Sequence, residues 1–113
     1  METKEIPVKI APVLNLLLED LKQLFGNKLR KVVLYGSYSR GDYSDESDVD
    51  ILVLLTDSGF KTQNRMASDI SAKYLLNYGI LFSIIIKSED FYNNWKDTMD
   101  LFVNIEQDGI AVV

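Results

Sequence analysis

The chain contains no cysteine and no histidine, and each absence removes a class of chemistry. Without cysteine there is no disulfide framework and no thiolate nucleophile, and without either residue there is no Cys/His zinc site. No imidazole is available as a general base near neutral pH. Catalysis would therefore fall to carboxylates, hydroxyls, lysine, arginine and backbone amides, a set for which a bound metal is the natural source of reactivity.

Basic residues and long apolar runs are also scarce. The formal net charge of −5 leaves no basic face for non-specific binding of a nucleic-acid duplex. The longest apolar stretch, Ile80 to Ile86, is interrupted by Ser83 and is far shorter than the roughly 20 residues of a membrane helix. We therefore expect a single cytoplasmic domain spanning residues 1–113, bound to neither membrane nor nucleic acid.

Helical and extended patterns alternate along the chain. Apolar residues spaced for one helix face run from Ile10 to Phe25, before Gly26-Asn27. Apolar runs at 31–35, 49–55 and 80–86 predict three strands. Between the last two, a helix capped by Asp57-Ser58-Gly59 reaches Tyr78 and is predicted to bury Met66, Ile70, Tyr74 and Leu75. One or two short helices over 89–107 and an edge strand or packed tail at 109–113 complete an α/β pattern, a small sheet covered by helices.

The chemistry is concentrated between the first two predicted strands, in residues 36–50. Asp48 and Asp50 are two residues apart at the start of a strand, so both side chains share one face and their Cα atoms are about 6.6 Å apart. Such a pair can converge on a hard cation such as Mg²⁺. Without a cation, burial of both charges would leave one acid protonated. The alternative is that both acids lie in solvent at a strand end.

Gly36-Ser37 follows the first of these strands. A glycine there permits a positive φ or a close approach of the backbone to a ligand. The following amides and the Ser37 hydroxyl can hold phosphate oxygens, although an ordinary turn has the same sequence. Arg40 can bind phosphate through its guanidinium, or it can brace the loop by pairing with Asp42 or Asp45.

Spacing excludes two other motifs. Gly36 and Gly41 match the glycines of a P-loop, but Asp42 stands where the phosphate-binding lysine is required. An EF-hand loop starting at Asp48 needs an oxygen ligand at position 52 and a glycine at position 53, which are leucine and valine.

The pattern Gly-Ser, then Arg-Gly three residues after the serine, then Ser-Asp-x-Asp closely resembles the minimal nucleotidyltransferases of the DNA polymerase β superfamily. The match is dense over residues 32–55. The resemblance implies a mixed β-sheet flanked by helices, with Gly36 and Ser37 binding a triphosphate and Asp48 and Asp50 holding Mg²⁺. The expected reaction is transfer of a nucleoside monophosphate, AMP from ATP, to a hydroxyl acceptor with release of pyrophosphate.

The family pattern includes a third carboxylate on the next strand, and Ser83 aligns with it here. A serine is a poor metal ligand and no useful base at neutral pH. Glu89 and Asp90 lie beyond the strand and are typical of a helix start. Either substrate or a partner supplies the missing function, or the chain is a weakly active or inactive, antitoxin-like nucleotide-binding subunit.

The resemblance also implies a partner. Minimal relatives are often paired with a separate helical protein of the HEPN type in toxin–antitoxin-like modules, and some transfer AMP to a tyrosine of it. Self-association of the chain stays open as well. Phe91, Tyr92 and Trp95 have the spacing of one helix face, which fits either an interface or the core.

Overall fold

A computed structural model of the chain describes residues 6–56 and 60–113, with the backbone alone for residues 60–63. The predicted cap at Asp57–Gly59 lies outside these ranges. No helix in the described part of the chain is long and apolar enough to cross a membrane. The elements are α1 (Ala11–Phe25), β1 (Leu29–Tyr35), α2 (Ser37–Arg40), β2 (Val49–Leu55), α3 (Phe60–Tyr78), β3 (Phe82–Ser88), α4 (Glu89–Trp95), α5 (Asp100–Asp108) and β4 (Ile110–Ala111).

The four strands form one mixed sheet in the order β3-β2-β1-β4. β1 runs antiparallel to β2 and to β4, whereas β2 and β3 are parallel. A parallel pair needs a long crossover, and α3 provides it. Helices on both sides of this small mixed sheet confirm the predicted α/β fold, and the C-terminal segment contributes an edge strand.

The two faces of the sheet are covered by different helices. Side chains alternate between faces along a strand, so Val32 and Leu34 join a core with α1 and α3 while Val33 joins a second core with α4 and α5. β2 is buried on both faces except at Asp50, which is half-buried. The predicted burial of this strand apart from its start is therefore confirmed.

Several details of the prediction are wrong. β1 begins at Leu29, two residues before the predicted start. β3 begins at Phe82, because Gly79 (φ 70°) ends α3 and the two residues after it form the connection to the strand. Leu75 is 45% exposed although its neighbour Tyr74 is buried. The apolar stripe of α3 is narrower than the sequence pattern indicated, because consecutive residues on a helix point about 100° apart.

Asp20 links α1 to α3. Its carboxylate accepts hydrogen bonds from the Tyr74 hydroxyl (2.5 Å) and from the Lys73 ammonium (2.9 Å). These two hydrogen bonds hold the pKa of Asp20 below its ordinary value, and the one from Tyr74 has the larger effect. A carboxylate with a lowered folded-state pKa stabilises the fold above its unfolded pKa, and that contribution is lost as the pH falls through the folded pKa.

We therefore expect Asp20→Asn to lower the free energy of unfolding by about 1 kcal/mol at pH 7, a value reduced by solvent screening of a partly exposed group. Urea denaturation at several pH values measures it. The deficit should shrink as the pH falls into the acid range. Asp69→Asn, at an exposed position of α3, is the control and should change stability little. An Asp20→Asn deficit that is constant with pH would contradict the assignment.

Candidate active site at the start of β2

Gly36 forms the turn between β1 and α2 with a φ of 76°, a conformation that side chains with a Cβ rarely adopt. Its carbonyl oxygen accepts hydrogen bonds from the amides of Ser39 and Arg40, both at 3.1 Å, and from the Ser39 hydroxyl at 2.8 Å. The Asp50 carboxylate lies against its Cα, where a Cβ would overlap it. Both the backbone conformation and Asp50 therefore require a glycine here.

The two aspartates differ in environment. Asp48 directly precedes β2 and is exposed, whereas Asp50 is the second residue of the strand and is half-buried. Burial raises the pKa of Asp50, and the charge of Asp48 raises it further, while Arg40 acts in the opposite direction. Asp50 is thus not a solvated strand-end acid, and the two carboxylates are close enough to repel each other.

Asp50 has a polar neighbour on each adjacent strand. Its register partner is Tyr35 on β1 and Ser83 on β3. Burial, together with the charge of Asp50, raises the pKa of the Tyr35 phenol to about 12. Ser83 is the residue that we aligned with the third carboxylate of the family pattern. Within the described ranges, no three His, Cys, Asp or Glu side chains are grouped to hold a metal ion.

The predicted phosphate-binding residues line one cavity. We call it the turn-side cavity; it measures about 310 Å³ and is lined by Gly36, Ser37, Arg40 and Asp50, with further residues from β1 and α5. Asp48 lines a different one, together with Ser83 and residues of α3 and β3. This α3-side cavity measures about 590 Å³. The fold brings the predicted site residues close together. The two acids nevertheless line different cavities, Asp50 the turn-side cavity and Asp48 the α3-side cavity.

Arg40 braces its own loop. Its Nε lies 3.2 Å from an Asp42 carboxylate oxygen, and both side chains are largely exposed, so this ion pair contributes little stability. Asp45 pairs with Lys9 at 2.8 Å instead. Of the two bracing contacts considered from the sequence, the one with Asp42 is present. Because Arg40 also lines the turn-side cavity, the contact is compatible with a phosphate nearby.

Sequence reasoning missed the contribution of α5. Leu101, Asn104 and Asp108 line the turn-side cavity, and their spacing of three and four residues is that of one helix face. That spacing was visible in the sequence. The cavity that this helix face lines could not be predicted, because the orientation of α5 depends on how Phe102 and Ile105 pack into the second core.

The aromatic cluster on α4 belongs mainly to the core. Tyr92 is buried and Phe91 packs against the same cluster of residues. Trp95 is 46% exposed, and its ring centroid lies 6.4 Å from that of Phe91. An interface on this helix could therefore use Trp95, while the other two rings stabilise the fold.

Residues 14–103 match the family model described as the nucleotidyltransferase domain. The chain belongs to this family. Two proteins of Methanocaldococcus jannaschii, both provisionally named protein adenylyltransferases, are similar to it. One is 40% identical over 79 residues, covering 67% of this chain and 74% of the relative. The other is 35% identical over 82 residues, covering 73% and 83%. The expected family is confirmed, and the chain is a nucleotidyltransferase.

Solved structures share the fold. A crystal structure of a toxin–antitoxin with AMP-PNP matches with a TM-score of 0.58 and 18% identity, over 85% of this chain and 69% of that one. A mutant of the toxin–antitoxin MntA–HpeT matches with a TM-score of 0.58 and 16% identity, again over 85% of this chain and 69% of that one. A provisionally named nucleotidyltransferase from Sulfolobus solfataricus matches with a TM-score of 0.56 and 24% identity, over 92% of this chain and 79% of that one. At these identities the likeness shows the fold alone.

Proposed function

We propose that this nucleotidyltransferase, a single domain spanning residues 1–113, transfers AMP from ATP to a hydroxyl group of a protein. The observation that carries the proposal is the contact between the Gly36 turn and the Asp50 carboxylate, because it joins the phosphate-binding element to the acid pair. Adenylyl transfer and a protein acceptor are suggested by the names of the relatives from M. jannaschii.

In this proposal the turn-side cavity holds the triphosphate tail. Ser37 is half-buried at the start of α2, so its hydroxyl and the amides of the turn can donate to phosphate oxygens. Arg40 can add a guanidinium at the rim of the same cavity. Together they would compensate the charge of the β- and γ-phosphates.

The donor set fits Mg²⁺. Asp48 and Asp50 offer hard carboxylate oxygens, and their mutual repulsion is relieved by a cation. Mg²⁺ is usually held in such sites by one or two carboxylates together with substrate phosphates and water, so two protein acids suffice to bind it. When bound, the ion would neutralise charge that develops on the phosphates during transfer.

The transfer forms one bond and breaks another. The acceptor oxygen bonds to the α-phosphorus, and the bond from that phosphorus to the bridging oxygen breaks, so pyrophosphate leaves with the electron pair. The hydroxyl proton passes to solvent, because Ser83 cannot serve as a base. Catalysis would then come mainly from the positioning of the two reactants and from electrostatic stabilisation.

The acceptor we propose is a tyrosine of a separate helical protein of the HEPN type, in the cytoplasm. The fold shared with toxin–antitoxin structures supports a separate partner. The exposed Trp95 offers an aromatic contact for it.

A transfer assay tests the function. The chain is incubated with Mg²⁺, ATP labelled at the α-phosphate and the product of the neighbouring gene. We expect label on that product, and we expect Asp48→Asn to reduce the rate by about 100-fold or more, since one of two metal ligands is lost. If the wild-type chain shows no Mg²⁺-dependent binding of the triphosphate, the proposal fails.

A second candidate function, a non-catalytic nucleotide-binding subunit, is favoured by Ser83. If the chain is the enzyme, Ser83→Asp adds an acid at the register position beside Asp50 and should raise the transfer rate several-fold. Ser83→Asn is the control, because it has nearly the same shape and no charge. The second candidate predicts a different result: triphosphate binding without transfer in wild type and Ser83→Asn, with transfer gained only in Ser83→Asp.

A further inference from the structure

Helix α5 lines one wall of the turn-side cavity, and the function proposed above gives that wall no role. Its lining residues are Leu101, Asn104 and Asp108. Asp108 is half-buried and the other two are exposed. Among the residues that the structure describes, none makes a hydrogen bond or an ion pair with the Asn104 amide or the Asp108 carboxylate. Both groups are therefore available to a ligand in the cavity.

The C-terminal end of α5 packs tightly against β1. Gly109 follows Asp108, and a Cβ on this glycine would overlap atoms of both β1 and α5. Ile110 then pairs with Leu34, as β4 runs antiparallel to β1. In such a pair, residues earlier in one strand lie opposite residues later in the other. Asp108 therefore lies at the end of β1 that leads into the Gly36 turn.

The charges in the cavity distinguish two kinds of surface. Arg40 is the only cation among the described side chains that line it, and it belongs to α2, next to the proposed phosphate-binding turn. The α5 wall carries the Asp108 carboxylate, which repels phosphate. A carboxylate accepts hydrogen bonds and suits a neutral group with hydroxyl donors. The α5 wall therefore suits the uncharged part of a nucleotide better than its phosphates.

Asp108 does not replace the carboxylate that is missing at Ser83. Within the described ranges, no three His, Cys, Asp or Glu side chains are grouped to hold a metal ion. The charges that shift the pKa of Asp50 are those of Asp48 and Arg40. Asp108 thus shares a cavity with Asp50 without belonging to the acid pair, so its role concerns another part of the ligand.

The order of groups along α5 matches the order of groups in a nucleotide. Asp108, Asn104 and Leu101 lie along one helix face, and their spacing spans roughly 10.5 Å at about 1.5 Å per residue. If the phosphates lie at the Gly36 turn, the ribose comes next and the base last. We infer that α5 forms the nucleoside subsite, in which Asp108 accepts hydrogen bonds from the ribose hydroxyls while Asn104 and Leu101 contact the base. The inference rests on the proposed function.

The two residues farther from the Gly36 turn suit an adenine base. Leu101, which is 37% exposed, offers an apolar surface to the flat face of a purine. The Asn104 amide has a donor and an acceptor, which match the N7 acceptor and the N6 amino donor of adenine. Guanine has two acceptors at that edge, so one of these hydrogen bonds would be lost. The subsite therefore favours ATP over GTP, and a ribonucleotide over a deoxyribonucleotide.

The test compares ligands that contain or lack each part of the nucleotide. The probes are ATP, 2′,3′-dideoxy-ATP, GTP and inorganic tripolyphosphate. Each is titrated by calorimetry, in the presence of Mg²⁺, into the wild-type chain, Asp108→Ala and Asn104→Ala. Asp100→Ala and Asn94→Ala are the matched controls, because both residues are exposed and neither lines the cavity.

We expect the wild type to bind ATP about tenfold or more tightly than dideoxy-ATP, because the dideoxy compound lacks the hydrogen bonds to a carboxylate. Asp108→Ala should lose this preference, while its affinity for tripolyphosphate stays the same or rises. Asn104→Ala should lose the preference for ATP over GTP and keep the preference for ribose. The two control variants should bind all four probes as the wild type does.

Three results overturn the inference. One is a wild-type chain that binds ATP and dideoxy-ATP equally. Another is an Asp108→Ala variant that keeps the preference for ribose, or that loses affinity for ATP and tripolyphosphate alike, as a structural role of Asp108 would require. The third is an Asn104→Ala variant with an unchanged preference for ATP over GTP, which removes the base from α5.

Failure of the inference is distinguishable from failure of the proposed function. Mg²⁺-dependent binding of tripolyphosphate, with no gain in affinity from the nucleoside of ATP, overturns the nucleoside subsite alone. If neither ATP nor tripolyphosphate binds in a Mg²⁺-dependent way, the proposed function fails, and the nucleoside subsite fails with it.

Discussion

Gly36→Ala is expected to reduce Mg²⁺-dependent triphosphate binding by about 100-fold or more and to lower the free energy of unfolding by about 2 to 3 kcal/mol. Two effects combine. The φ of 76° at this position is strained for alanine, and the new Cβ would overlap the Asp50 carboxylate. Either Asp50 moves or the turn does, and in both cases the Gly36 turn, which we propose binds the triphosphate, loses its position relative to the acid pair. Calorimetry with an ATP analogue and urea denaturation measure the two losses.

Gly41→Ala separates the two effects. Gly41 has a similar positive φ of 86°, but a Cβ on it would meet nothing within 4 Å. We expect this variant to lose about 1 to 2 kcal/mol of stability from backbone strain and to keep most of its triphosphate affinity. Equal losses of affinity in Gly36→Ala and Gly41→Ala would show that the contact with Asp50 is irrelevant to binding.

Asp50→Asn is expected to eliminate Mg²⁺-dependent transfer without destabilising the metal-free protein. Burial and the charge of Asp48 raise the pKa of Asp50. A raised folded-state pKa means that stability is fully present below the unfolded pKa of this carboxyl and is lost as the pH rises through the folded value. The neutral asparagine avoids that loss. At pH 7 the metal-free variant should therefore be as stable as the wild type or more stable.

Thermal unfolding with and without Mg²⁺ and an ATP analogue measures both the stability of the metal-free variant and its loss of ligand binding. A ligand that binds only the folded state stabilises that state. Mg²⁺ and the ATP analogue should therefore raise the unfolding temperature of the wild type and leave that of Asp50→Asn unchanged. Transfer should fall by about 100-fold or more, because the remaining single carboxylate is a weak Mg²⁺ site. Asp69→Asn, at an exposed position of α3 that lines neither cavity, is the control. If metal-free Asp50→Asn unfolds as readily as a core-deletion variant, Asp50 has a structural role instead.

Local patterns in the sequence predicted most of the elements. β2 has the predicted bounds, residues 49–55, and α1 ends at Phe25, because unbroken apolar runs and a glycine stop signal depend only on neighbouring residues. The start of β3 was misplaced by two residues, since Ile80 and Leu81 are apolar and follow Gly79. Their sequence alone does not distinguish a connection from the strand.

The contacts around the acid pair show what the sequence does not predict. The sequence by itself determined that a buried strand begins at Val49, between Asp48 and Asp50, and that Gly36 lies at a turn, because these are properties of adjacent residues. Only the tertiary structure decided that Asp50 lies against Gly36 and beside Ser83, and that α5 lines the turn-side cavity. Sheet register and helix packing set such contacts between distant segments, and the spacing within any one segment does not encode them.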